Sequence, residues 1–458
     1  GDNAPHRPQD RGFQNAVWHR CGGVGQASDH WGNDYFDDTY ERVRPGSRKG
    51  TFENFDGYCT DIWFREGMRF ITENQKEPFF LYIATNAPHG PYRVDPKSAE
   101  PYQRNEVNNA NFFGMIANID HNLGLLRDHL KDLNLDKDTI LIFMTDNGTS
   151  AGCKFPGLDT EPTLGFNAGM RGKKSSIYEG GHRVPFFLHW PAGGFSKGLE
   201  IDTLAAHIDV LPTLADLCEL PKPDKRYDVD GLSLIPLLTD KVNSWKRNHL
   251  FLQYHGGAHH KFALGPLTNS VVMTERWRLV NTDKAEELYD IVNDPAQRNN
   301  VAIQRPGIVK DLRTAYQSFW QRVSPGLKPV AIDLGDPSEN PAVLCSQDWR
   351  PETGNPPWNF SSIKKIPTVT HPWLVNVLKA GEYRFTLRQW PKEADKPIIG
   401  VKARIKIAGV EKEAVIKEGS KEINFTLTLP SGITELWTYI YNQQGQVGGA
   451  YFTEVEKL

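Results

Sequence analysis

Three short stretches of this sequence carry side chains that could bind a metal ion or do proton or charge chemistry. The first is Thr139–Gly148, read T-I-L-I-F-M-T-D-N-G, where an apolar and β-branched run stops at Asp146 and Asn147. A carboxylate beside an amide oxygen suits a hard divalent cation such as Ca²⁺. Taken alone these ten residues favour a hairpin, because Asn-Gly is the strongest short-range turn signal; the residues after Gly148 reverse that preference. The second is N-A-P-H-G-P-Y, which sets His89 between two prolines that remove backbone donors and stiffen the loop. A loop histidine capping a neighbouring carbonyl is the bland alternative. The third is G-M-R-G-K-K-S-S-I-Y-E-G-G-H-R-V-P, with Arg171, Lys173, Lys174, Tyr178, Glu179, His182 and Arg183 on a glycine-rich path. Any one of these cations could equally be a solvated loop residue.

The elements that must position these stretches are legible from periodicity. Thr139–Thr145 and Phe79–Thr85 read as strands buried on both faces, with Asp146, Asn147 and His89 just past their carboxyl ends, where open α/β sheets bind ligands. Between them, Phe112, Met115, Ile116, Ile119, Leu123, Leu126 and Leu130 recur at three- and four-residue steps and predict a crossover helix over 108–133. A shorter amphipathic helix is expected over 60–75, a strand over 184–190, a helix over 207–217 and another near 308–323. Beyond about Lys328 helical periods give way to short alternating runs, which predict an antiparallel β-sandwich-like domain over 328–458. Its alternate aromatics Trp437, Tyr439 and Tyr441 are expected in its core, although they could stack on a sugar. Asp37 and Asp38 are expected in a solvated turn.

Composition narrows the function. The chain has 458 residues, 24% of them charged and 11% aromatic, with a net charge of -3. There is no basic stripe to bind nucleic acid and no apolar run of membrane-spanning length. Five scattered cysteines show neither metal-ligand spacing nor a disulfide framework.

In their order, A-P-H-G-P, T-D-N-G, K-K-S-S-I-Y-E-G-G-H-R-V-P, H-I-D-V-L-P-T, D-G-L-S-L-I-P-L-L and E-L-Y-D-I-V-N-D-P closely resemble type I sulfatases of the alkaline phosphatase superfamily. The wording looks most like bacterial enzymes acting on sulfated glycans or aryl sulfate esters. The resemblance implies an α/β fold with a mixed central sheet flanked by helices, followed by the smaller β domain, with a catalytic domain over 1–327. It implies Asp146 and Asn147 as calcium ligands, His89 contacting the sulfate and the leaving-group side, and Lys174 rather than Lys173 binding a sulfate oxygen. His182 is a further substrate-binding candidate. It also implies export, to the periplasm or outside the cell. A phosphonate monoester or phosphodiester hydrolase of the same superfamily, or a non-catalytic binding scaffold, are the alternatives.

The sequence departs from the family pattern at one end. The family's nucleophile is a formylglycine made within C/S-x-P-S-R, and no cysteine or serine here stands in that motif. The early Asp-Asp calcium pair and G-K-W-H-x-G are also missing. The expectation is a chain cut just before Gly1, lacking a central strand, leaving a gap or exposed edge, and inactive alone. Specificity is expected in the C-terminal domain and in the loops 17–31 and 251–264, where His19, His30, His259 and His260 could contact sugar or sulfate but read more simply as surface residues.

Overall fold

A computed structural model describes all residues except 1–2, 21–22, 26–34, 104–105, 155–162, 196–197, 222–228, 240–244, 255–268, 353–355 and 358–368. His30, His259 and His260 therefore lie outside the described residues. The fold is mixed α/β, with helices about a central sheet and antiparallel sheets in the C-terminal region.

Two of the expected helices form at Cys59–Asn74 and Ala110–Asp132. Asn109 caps the second, its side chain accepting from Phe112 N. Phe64 and Ile71 of the first pack against Leu126 and Leu130 of the second. The carboxylate of Asp61 accepts from Asn118 and Asn122 at 2.9 and 2.7 Å, fixing how the helices meet.

The central sheet is narrower than expected. Among the described residues Leu141–Met144 pairs only with Phe186–His189, antiparallel, and its residues are half-buried or exposed rather than enclosed on both faces. Phe79–Thr85 is extended but makes no backbone hydrogen bond among the described residues, so it is not a strand. Its side chains still alternate: Phe79, Leu81 and Ile83 pack on the two helices, while Phe80 and Tyr82 are 62% and 70% exposed. A run with strand chemistry and no neighbour cannot complete a ladder.

A second sheet orders Leu250–Gln253, Ser270–Met273, Trp277–Asn281 and Glu286–Asp290 as an antiparallel meander. Alternation divides its side chains between two partners. Val272, Leu279 and Leu288 face the helix Pro306–Val323 through Val309, Leu312 and Tyr316. Val271, Val280 and Tyr289 pack with Ile177 and Tyr178, so this sheet is the floor beneath the glycine-rich loop.

Residues 332–457 form two sheets around one core that includes Trp349, Trp373 and Phe385. Trp437, Tyr439 and Tyr441 are not in that core. They stand half-exposed on the outer face, with Trp437 and Tyr439 stacked at 6.2 Å and Arg404 4.1 Å from the Tyr439 ring centre. The N-terminal residues dock on this region: Asn3 Nδ2 donates to Val343 O at 2.9 Å, and Arg20 bridges Glu41 and Glu339.

Candidate functional site

Local backbone joins two of the three stretches directly. Gly148 N donates to Gly181 O at 3.0 Å, and Lys174 N donates to Thr149 O at 2.9 Å. This approach requires glycine. A Cβ on Gly148 would lie 1.9 Å from Gly180 O, and one on Gly181 would lie 2.0 Å from Ser176 O. The turn carrying Asp146 and Asn147 is thus laid against the loop carrying Lys174.

A cavity of about 1970 Å³ is lined by His89, Asp146, Asn147 and Lys174 together. That exceeds the roughly 300–1,000 Å³ of ordinary small-molecule sites. His89 is exposed, and its Nδ1 lies 2.7 Å from Gly90 O. A carbonyl only accepts, so Nδ1 carries the proton and Nε2 is the nitrogen left to give or take one. Tyr35 Oη holds the His89 carbonyl at 2.9 Å.

The loop before Lys174 rests on buried charge. Glu179 and Arg278 are almost fully buried and pair at 2.7 Å, and Glu179 N donates to Gln297 Oε1 at 2.8 Å. Arg171 lies 3.7 Å from the Tyr178 ring centre and donates to Tyr289 Oη at 2.7 Å. Both Tyr178 and Tyr289 donate to Glu287 Oε2 at 2.7 Å. Burial, then that carboxylate, push both phenols well above the usual tyrosine range, so they stay protonated donors.

His182 does not line the cavity. It ends the short helix Glu179–His182, and its Nε2 is buried without a hydrogen-bond partner. Burial pushes its imidazole below the ordinary value of 6.5; Glu179 opposes this and Arg278 adds to it. The folded protein therefore binds this proton less readily than the unfolded chain, and its contribution to stability is lost as pH falls below about 6.5. His182→Asn is expected to flatten the fall of the urea midpoint between about pH 7 and pH 5. An unchanged slope would remove His182 as its source.

His207 is a residue that sequence reasoning did not single out. Its Nε2 donates to Thr145 O at 2.7 Å and so fixes the backbone just before Asp146. The signal was H-I-D-V-L-P-T. Its Asp209 is fully buried and accepts from Ala206 N and Leu232 N, both at 2.8 Å, and from Arg247. Of the other candidates, Asp38 is buried rather than solvated, accepting from Thr39 N at 2.7 Å, and His19 lines a different cavity.

The donors at Asp146 and Asn147 suit a hard cation in kind. The Asp146 carboxylate is exposed and has no hydrogen-bond or ion-pair partner among the described residues. Asn147 Nδ2 donates to Gly148 O at 3.1 Å, leaving its amide oxygen without a donor. In number they fall short of the roughly six to eight oxygens that Ca²⁺ takes. Among the described residues no group of three or more His, Cys, Asp or Glu could hold a metal. Nor does a cysteine supply a ready nucleophile here: Cys153 is buried, and burial pushes its thiol up against the pull of Lys173.

A family model described as Sulfatase matches residues 7–220, and one described as N-sulphoglucosamine sulphohydrolase, C-terminal, matches residues 171–318. An N-acetylgalactosamine-6-O-sulfatase of Bacteroides thetaiotaomicron is 28% identical over 292 residues, covering 58% of this chain and 52% of that protein. The N-acetylgalactosamine-6-sulfatase of Canis lupus familiaris is 30% identical over 321 residues, covering 64% and 56%. In fold the chain is similar to Ps i-CgsB, solved in complex with k-i-k-neocarrahexaose, with a TM-score of 0.57 at 24% identity over 71% of this chain and 70% of that one. The chain spans about half the length of the curated relatives it matches. The two family models overlap over residues 171–220 and together span residues 7–318, so over these residues the chain is similar to sulfatases.

Proposed function

We propose that this chain belongs to a sulfuric ester hydrolase acting on sulfated glycans, and that residues 1–327 carry its grip on the sulfate. The carrying observation is that His89, Asp146, Asn147 and Lys174, from three separate stretches, line one cavity. The Lys174 ammonium binds a sulfate oxygen, giving a charge-assisted hydrogen bond where charge develops. The Nε2 of His89 contacts the sulfate and, when protonated, gives its proton to the departing sugar alkoxide. Asp146 and Asn147 would hold Ca²⁺, which when bound polarises the sulfate oxygens. No residue of this sequence stands in the formylglycine motif, so the attacking group is not among those assigned, and the 458 residues by themselves are expected to bind without turnover. Residues 328–458 form the separate β-sandwich-like domain in this reading, which the core confined to residues 334–455 supports. Action on glycans outside the cytoplasm follows the family resemblance; no helix among the described residues is long and apolar enough to cross a membrane.

The test is calorimetric titration of N-acetylgalactosamine 6-sulfate, with and without Ca²⁺, into wild type, Lys174→Ala and Asp146→Ala. Lys174→Ala is expected to weaken binding at least about ten-fold, as a hydrogen bond to a charged group contributes about 1.5–3 kcal/mol. Asp146→Ala is expected to abolish the effect of Ca²⁺. Equal affinities for wild type and Lys174→Ala, or no effect of Ca²⁺ on wild type, would leave a non-catalytic scaffold as the better account.

A further inference from the structure

Phe166 is 72% exposed and lines the same cavity as His89 and Lys174. Its backbone is held, although its ring is not covered. It comes directly after Leu164–Gly165, which pairs antiparallel with Cys153–Lys154. Phe166 N donates to Gly152 O at 2.9 Å, and Gly165 N donates to Glu106 O at 2.9 Å. Gly165 has φ +80°, and a Cβ there would lie 1.9 Å from Gly152 O, so the hairpin closes only with glycine at this position.

The same hairpin is tied to the sulfate-facing loop. Gly152 N donates to Thr149 Oγ1 at 2.8 Å, and Thr149 O accepts from Lys174 N. Asn167, the next residue, is buried and donates through Nδ2 to the carbonyls of Met170 and Gly172, which fixes the turn leading to Lys174. A short chain of hydrogen bonds therefore sets the Phe166 backbone relative to the Lys174 backbone. Tyr102 and Phe113, which also line the cavity, stack on each other at 5.8 Å.

We propose that Phe166 is a specificity-determining residue, the platform on which the sugar ring stacks while its sulfate is held by Lys174 and His89. The inference rests on the sulfatase reading and names how the leaving group is recognised. A pyranose ring presents an apolar C–H face, and an aromatic side chain on a held backbone covers such a face at the cost of only its two side-chain torsions. Cation and platform on one hydrogen-bonded scaffold select an ester whose sulfate and ring are a fixed distance apart.

The experiment titrates N-acetylgalactosamine 6-sulfate and, separately, inorganic sulfate into wild type, Phe166→Ala, Phe166→Tyr and Lys174→Ala in the presence of Ca²⁺. Phe166→Ala is expected to weaken the sugar sulfate about ten-fold and leave inorganic sulfate unchanged, with Phe166→Tyr close to wild type. Lys174→Ala is expected to weaken both. A Phe166→Ala protein that binds the sugar sulfate as wild type does, or that loses inorganic sulfate equally, overturns the platform while leaving the sulfate site standing. Lys174→Ala without effect on either probe, or wild type binding neither, overturns the sulfatase reading and the platform with it.

Discussion

Arg278→Met is expected to lose about 3–5 kcal/mol of stability, because it leaves the Glu179 carboxylate buried without its guanidinium. Glu179 is 2% exposed, and its other cationic neighbour, Arg183, stands 3.7 Å away on the surface. The residue pair is internal to the fold, so solvent cannot replace the missing partner. Glu179→Gln combined with Arg278→Met is expected to recover much of the loss, since neither charge remains to be buried. Urea unfolding of both variants measures this. A single variant within about 1 kcal/mol of wild type would mean that Glu179 finds water or another cation. The effect should reach the site, because Glu179 closes the loop that carries Lys174. Affinity for N-acetylgalactosamine 6-sulfate should fall in the single variant and return in the double.

The second large effect is expected at Asp209. Its carboxylate is fully buried and takes two backbone N–H groups and the Arg247 guanidinium. Asp209→Ala leaves all three without an acceptor, and the unpaired buried guanidinium alone costs about 3–5 kcal/mol. Asp209→Asn keeps one acceptor oxygen and is expected to fall between. Hydrogen exchange should localise the damage to residues 206–217 and 231–238, because Thr213 Oγ1 also links Asp209 O to Leu234 N at 2.6 and 2.8 Å. Protection that falls evenly over the chain would contradict a local role. His207, two residues away, should lose its hold on Thr145 O, so the Asp146 turn is expected to loosen as well.

The sequence carried what is local. The helix Ala110–Asp132 announced itself because one face repeats apolar residues at helical spacing over six turns, and its Asn109 cap lies beside it in the chain. The residues of the candidate site stood out for a related reason, since each sits in a short motif whose glycines and prolines mark where the backbone must bend. Pairing was not legible. Phe79–Thr85 has the composition of a buried strand, but a strand is made by its neighbour, and none of the described residues pairs with it. Trp437, Tyr439 and Tyr441 alternate as core residues do, yet alternation is identical for the inner and outer faces of a sheet. The supports of the site were hidden by distance: Glu179 meets Arg278 across 99 positions and Asp209 meets Arg247 across 38. Phe166 gave no signal at all, because one aromatic after a glycine has no period.

The two backbone hydrogen bonds from Gly148 to Gly181 and from Lys174 to Thr149 make the turn bearing Asp146 and the loop bearing Lys174 one mechanical piece, on which the proposed cation and anion would both sit. Ordering either side restricts the other, so the two binding events share a single entropy loss. Thermodynamic linkage then works in both directions: by whatever factor calcium tightens a sulfate ester, the ester tightens calcium by the same factor. On the proposed reading neither affinity would be a property of its own ligands alone, and a calcium dissociation constant measured without an anion would describe a different state from the one that meets a sulfate ester.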